Sequence, residues 1–412
     1  MRRRPPVRLA LLLPFDVSPA VAAFAGIFAV TLLGLLSVGA VIPVLPRYVK
    51  GPLGEGDFVV GFVVGAFAFT GLAARPLAGH LADLRGRRLA VILGSLLAAF
   101  AGLLYFVPGL PALVLSRFAL GAGEGTVFTA GATWVVDLAP PERRGRIVGL
   151  YGLSVWTGLS LGPPIGDLLL RAGDYELVWA FATAAPLLGA AIASRLPDPH
   201  VPGRRDEPRT LIARESLRPG LALGLGVIGY AAIAAFVILH LEQRGIGHGT
   251  LAFTVFAVTV VVTRLVGGDL PDRLGPVRCA AAAATVEALG LAIVALAPSL
   301  PITLLGASAM GAAFSTLYPS LLLTVVDRVP ESRRGSAVGT FTAFFDVGVG
   351  LGGPLTGAAV ALGGAYAAAF WLAAACAGVS AVVIATRLRR ASPAMARAAS
   401  AAGSSPRPGP SP

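Results

Sequence analysis

Apolar stretches of about twenty residues follow one another along most of this chain, each closed off by a short polar or Pro/Gly-rich segment. They are read at about 20–45, 57–80, 89–107, 112–135, 147–170, 176–195, 218–241, 250–270, 279–297, 301–325, 336–361 and 366–387. An α-helix rises 1.5 Å per residue, so each is long enough to cross a hydrocarbon core of roughly 30 Å. The pattern predicts an all-α polytopic membrane protein of twelve spans. Polar segments never exceed about two dozen residues, which leaves no room for a separate aqueous domain.

Composition agrees. Of 412 residues, 56% are hydrophobic and 13% charged, with a mean hydropathy of +0.79. Soluble domains carry roughly 25% charged residues. The 52 Gly and 32 Pro would disrupt soluble helices; in membrane helices they are tolerated and permit close packing and kinks.

The formal charge of +12 would suit nucleic acid if it were clustered on one face of a soluble domain, but here it is divided by the spans. One set of loops and ends holds 26 basic residues, including Arg85, Arg87, Arg88, Arg143, Arg144 and Arg146; the opposite set holds Arg47, Lys50, Arg171 and Arg244. Arg75, Arg117 and Arg264 remain inside spans. By the positive-inside rule both termini are expected in the cytoplasm, with no nucleic-acid partner. Arg2–Arg4 followed by Leu9–Leu13 imitates a signal peptide. The apolar run is broken by Pro14 and Asp16 and leads into a full span, so a cytoplasmic tail (1–19) is expected. The Ala/Ser/Pro-rich end (388–412) is expected to be disordered.

The longest polar stretch, 196–217, contains PDPHVPGRRDEPRT and reads as a linker between two six-span bundles, 20–195 and 218–387. Sequence echoes lie on either side of it. Arg75, Gly79, Asp83 and Gly86 recur as Arg264, Gly268, Asp272 and Gly275; DLAPPERRGR from Asp137 recurs as DRVPESRRGS from Asp327. Gly149, Gly158 and Gly162 recur as Gly339, Gly348 and Gly352. Three blocks at nearly one offset mark a duplicated unit.

On these residues the chain resembles the major facilitator superfamily, in particular its 12-span drug or metabolite:proton antiporters. GHLADLRGRR, with Gly79, Asp83, Gly86, Arg87 and Arg88, is similar to the superfamily's loop motif between spans two and three, and Asp272 and Gly275 belong to its weaker echo. Gly149, Gly158, Gly162-Pro163 and Gly166 resemble the glycine motif of proton-coupled antiporters, departing from it at Asp167, where a second glycine is usual. RFALGAGEG resembles the arginine-containing motif of span four through Arg117, Gly121 and Gly123. The resemblance covers residues 20–390. It implies two six-helix bundles related by a pseudo-two-fold axis, rocking about a cavity lined by spans 1, 4, 7 and 10. It implies export of a small organic compound against protons, with uptake as the alternative and a non-transporting sensor as a remoter one. Asp83 is expected to pair with arginines across the two halves when the cytoplasmic side closes.

Ionisable groups inside spans are expensive and are functional candidates by default. The acids are Glu124, Glu287 and Asp346. Glu124 follows Arg117 by two helical turns, so the two share a helix face, and Glu124 with Asp346 behind it is the expected proton carrier. Arg117 either serves the cavity or snorkels to the nearby surface. Glu287 is expected to be structural, and His240 with Glu242 to be solvated rim residues. Trp156, Tyr230 and Tyr318, with Phe128 and Tyr151, are cavity aromatics or packing groups. No nucleophile–base pair, phosphate loop or dinucleotide fingerprint appears, so no enzyme activity and no cofactor are expected. The scattered histidines, and Cys279 and Cys376, lack metal-ligand spacing, so no metal is expected either. The expected partners are a small-molecule substrate, protons and the lipid bilayer, with the protein a monomer in a plasma (inner) membrane.

Overall fold

A computed structural model describes residues 19–139, 144–198, 213–330 and 333–388. The expected tails and most of the linker lie outside the described residues. Within them the chain is helical: α1 (Pro19–Val41), α2 (Leu45–Lys50), α3 (Asp57–Arg85), α4 (Arg87–Leu104), α5 (Leu110–Leu138), α6 (Arg144–Ser194), α7 (Leu217–Gln243), α8 (Gly249–Val266), α9 (Leu270–Leu274), α10 (Pro276–Leu296), α11 (Leu300–Val326), α12 (Arg334–Gly363) and α13 (Ala367–Val383). The short α2 and α9 extend the spans that precede them.

Ten described stretches are long and apolar enough to cross a membrane. Two features bring this to the twelve expected spans. The 51 residues of α6 are two helices joined at Gly173 and Asp174, where the backbone leaves helical geometry (Asp174 φ 61°, ψ −165°). The Asp174 carboxylate accepts a bond from the Tyr175 N–H at 2.8 Å, satisfying a donor at the new helix start. The other feature is α5, 29 residues long and diluted by Arg117, Glu124 and Asp137.

Lipid tails are as apolar as leucine, so helices in a membrane associate through close backbone contact and hydrogen bonds rather than a hydrophobic drive. The glycines serve that contact. A Cβ on Gly39 of α1 would lie 2.9 Å from the Gly158 carbonyl oxygen and 3.0 Å from the Gly162 Cα of α6. In α5, Gly121 and Gly125 meet α3 while Gly123 meets α4, so the alternating glycines of RFALGAGEG fit one helix between two others. Hydroxyls reach across helices to backbone carbonyls: Ser37 donates to Ala182 at 3.0 Å and Ser380 to Ala222 at 2.7 Å.

The first half packs α1 on α6 and α5 on both α3 and α4; the second packs α7 on α12 and α13, and α11 on α8 and α10. The halves meet mainly along two seams, α3 against α12 and α6 against α8. In repeat terms these are the second span against the eleventh and the fifth against the eighth. The duplication read from the sequence therefore recurs as a paired interface.

Candidate functional site

The two seams run the depth of the helices, and their ends differ. At the arginine-poor end, bearing Arg47, Lys50, Arg171 and Arg244, α3 and α12 touch backbone to backbone. A Cβ on Gly61 would collide with the Gly353 carbonyl oxygen and one on Gly353 with that of Gly61; one on Gly65 would lie 2.8 Å from the Gly350 oxygen. Charges cross the same end. Arg47 lies 2.7 Å from Glu242 of the second half and 3.1 Å from Asp167 of its own, and the Thr250 hydroxyl donates to Asp167 at 3.3 Å. Arg171 holds the other Asp167 oxygen at 2.8 Å.

One expectation is extended here and another changes. Glu242 is at the rim as expected, 40% exposed, and in addition pairs with Arg47 of the other half. His240 is 1% exposed, with Nε2 3.1 Å from the Val294 carbonyl, so it is not a rim residue. The two outcomes have different causes: His240 is covered by α10 and α13 of its own half, with Phe370 5.0 Å from its ring, whereas Glu242 stays partly exposed and reaches across to Arg47. Asp167, the departure from the glycine motif, is the branch point of the network.

At mid-depth the last described cross-half ion pair appears. Arg75 of α3 donates to Asp346 of α12 at 2.9 Å, with its Nε 2.9 Å from the second carboxylate oxygen. The guanidinium carbon also lies 5.5 Å from the centre of the Phe128 ring. The sequence singled out Asp346 as a candidate, but Arg75 only as a residue left in a span and as a member of the repeat. Its side chain reaches the other half, which no repeat within one chain of letters can reveal.

Glu124 sits on the first-half side of this level. One carboxylate oxygen is buried without a hydrogen-bond partner, and the group fills the notch at Gly34, where a Cβ would come within 2.6 Å of it. One helical turn on, Phe128 stacks at 5.9 Å on Tyr151, whose hydroxyl is 2.9 Å from that of Thr31. The expected partnership with Arg117 is not made. Arg117 is 3% exposed and donates to the Val63 and Val64 carbonyls at 2.9 and 3.2 Å, with Phe67 beneath its guanidinium at 4.9 Å. The two residues do share a face, but seven residues separate them by about 10 Å along the axis. In this state Arg117 does not snorkel to the surface; it clamps α5 to α3.

The aromatic candidates converge. Phe314 of α11 touches Trp156 (5.4 Å, edge-on), Tyr230 (5.8 Å), Phe256 and Phe345. Tyr318, one turn along, packs on Phe341 and Phe345 and lies 3.1 Å from the Thr342 hydroxyl. Trp156 and Phe314 belong to different halves. The sequence listed three of these rings but missed Phe314, whose place at the centre comes from four other helices. At the repeat offset of 190, Phe314 stands where the first half has Glu124, so the same level is acidic in one half and aromatic in the other.

Toward the arginine-rich end the seam opens. No atom outside the local helix lies within 4 Å of where a Cβ would stand on Gly79 of α3 or on Gly339 of α12. The ion pairs described here stay within a half: Asp83 to Arg87 at 3.1 Å, Arg87 to Asp137 at 3.0 Å, and Arg333 to Glu215. The Arg88 N–H donates to Asp198 at 3.2 Å. Gly86, at φ 99°, makes the turn into α4, and Gly275, at φ 84°, the equivalent turn before α10, conformations that favour glycine. Asp272 is exposed on α9. Of the glycine-motif residues, Gly158, Gly162 and Gly166 lie four apart against α1, with Pro163 beside Gly39; Gly149 lies in the second turn of the same helix. Glu287, expected to be structural, is fully buried with neither oxygen bonded, against Gly226 and Gly229 of α7.

Comparison with known proteins bears on the same architecture. The family model described as Major Facilitator Superfamily matches residues 27–251 and 220–409. The chain belongs to the major facilitator superfamily. It is 32% identical over 373 residues to the MFS-type transporter STM4428 of Salmonella typhimurium, covering 88% of this chain and 96% of that protein. It is 30% identical to the MFS-type transporter YhhS of Escherichia coli O6:H1, over 87% and 90% of the two chains. Similar solved structures include the nucleoside transporter NupG (TM-score 0.75, 16% identity, 88% of this chain and 98% of that one). Another is a D-xylose-proton symporter (TM-score 0.71, 16% identity, 89% and 96%). At such identities they speak for the fold. This transporter is therefore a multi-pass membrane protein that moves a small molecule and is not an enzyme.

Proposed function

We propose that the protein is a secondary active exporter that expels small organic compounds in exchange for protons by alternating access. The observation that carries the reading is the pair of ends just described, one sealed and one splayed. With the arginine-rich end in the cytoplasm, this is a state closed to the outside and open inward, ready to take up its cargo. The two bundles, 20–195 and 218–387, are the bodies that rock, with 196–217 as their tether and both termini in the cytoplasm of a bacterial inner membrane. The monomer suffices, because both seams lie within one chain.

Proton exchange is assigned to Glu124, with Asp346 as the second candidate. A carboxyl with an unbonded buried oxygen, set between apolar helices, is held without the water or donors a stable anion needs. Opening the other face would hydrate it. Asp346 is already engaged by Arg75, so protonating it would release the cross-half pair and couple the proton to the seam. The glycines at Gly158, Gly162 and Gly166 support export by resemblance and let α6 slide on α1. The fold shared with a proton symporter supports uptake as the second reading.

The test uses purified protein in proteoliposomes with an imposed pH gradient. Glu124→Gln should abolish gradient-driven accumulation while retaining substrate exchange at equal pH. Accumulation by the mutant as strong as by wild type would remove Glu124 from the mechanism, and flux running with the protons would replace export by uptake. Reporter fusions after Pro108, Arg171 and Gly364 should read outside; a cytoplasmic signal at any of them would overturn the orientation.

A further inference from the structure

The repeat places arginine at equivalent positions of the second and eighth spans, Arg75 and Arg264, but supplies acid to only one. Arg75 has Asp346. The first-half residue at the repeat position of Asp346 is Trp156, and it is committed to Phe314. Among the described residues Arg264 accordingly makes no ion pair: its one described bond is a long 3.4 Å donation to the Ser315 carbonyl. On its own stretch of chain, Asp269 is taken by Arg273, and Asp272 forms no ion pair with Arg264.

Arg264 lines a cavity of about 180 Å³ together with Thr263, Ser315, Thr316 and Pro319. Tyr318 is next to Pro319 of that lining on α11. Arg75 and Asp346 satisfy each other, so among the described residues Arg264 is left as the unmatched charge of the cavity it lines. Tyr318 is also the edge of the ring cluster that runs through Phe345 to Phe314. A cation lacking its anion, polar hydroxyls beside it and an aromatic wall next to that describe a receptor of definite chemistry.

We infer that Arg264 binds the carboxylate of an amphipathic organic monoanion, whose apolar body lies on the aromatic wall. The inference rests on the transport reading above and names its substrate class. The guanidinium fork matches a carboxylate with two parallel bonds, where lysine offers only a point charge. Charge balance then favours the anion over an uncharged isostere, because binding gives a half-buried cation its missing partner.

Inside-out vesicles with and without the full-length protein, energised by a pH gradient, would be given an equimolar mixture of naphthyl and phenyl monocarboxylates, their carboxamides and the matching amines, together with a cytosolic extract. Mass spectrometry reads what accumulates. The expected result is protein-dependent accumulation of acids at least tenfold over their amides, lost in Arg264→Gln and partly retained in Arg264→Lys. Accumulation of amides or amines as strong as that of acids overturns the inference while leaving the exporter reading intact; no accumulation of any compound overturns the exporter reading itself. If Arg264→Gln is not recovered folded, the acid-over-amide preference of wild type decides. If that preference is absent and Arg264→Lys instead loses co-purifying anionic phospholipid, Arg264 is a headgroup anchor and the inference falls.

Discussion

The two ends of the α3–α12 seam are built from the same materials and do opposite things. At the arginine-poor end, Gly61 and Gly353 bring two backbones into contact, with Arg47 and Glu242 joining the halves nearby. At the arginine-rich end, Gly79 and Gly339 face open space, and Asp83 pairs with Arg87 of its own half. Glycine alone thus does not make a tight seam. It makes a seam that can be tight in one state and empty in another, because it leaves no side chain in the way when the backbones part or meet. The sealed end is fastened by partly exposed ion pairs, which are weak enough to be exchanged. The mid-depth Arg75–Asp346 pair is the stronger hinge point, since its carboxylate is mostly shielded from water.

The comparison can be broken at several places. The largest effect is expected from Gly61→Leu, which puts a branched side chain where the Gly353 carbonyl lies. It should prevent closure of the arginine-poor end and reduce transport by more than tenfold, with cysteine probes near Lys50 gaining accessibility from outside. Unchanged transport would mean the contact is incidental. Next, Asp346→Asn strands the Arg75 guanidinium, which is 27% exposed, so the cost is expected below the about 3–5 kcal/mol of a fully buried pair. A marked fall in melting temperature is expected, recovered in part by pairing the change with Arg75→Gln; additive losses would deny the coupling.

A smaller effect belongs to Arg47 and Glu242. Their side chains are 26% and 40% exposed, so a double-mutant cycle should give a coupling of about 1 kcal/mol, falling as salt rises. A cycle near zero at low salt would leave the backbone contacts as the sole fastening. Smallest in stability is Gly79→Ala, within about 0.5 kcal/mol of wild type because nothing in this state meets the new methyl. Its transport rate is the sharper readout. If the arginine-rich end closes as the opposite end does, the methyl should slow turnover several-fold at unchanged melting temperature.

The chain's letters determined a great deal without its coordinates. Twenty-residue apolar runs can only satisfy their backbone in lipid as helices, so the spans were readable, even where Asp174 splits one continuous helix. The echo of Arg75, Gly79, Asp83 and Gly86 made the duplication readable, because equivalent backbone tasks keep equivalent residues. What the letters could not decide was which side chains face each other across the halves. Seven residues placed Arg117 and Glu124 on one face, yet the axial rise and the α3 carbonyls separated them. Asp167 looked like a defect in a glycine motif and proved to be the branch of a charge network. Arg75 and Arg264 looked alike, and only the tertiary structure gave one of them Asp346. Local sequence fixes the helix and its faces; the partner of a charge in a membrane depends on which helix is brought within about 3 Å of it, and that is set by the packing of all the spans together.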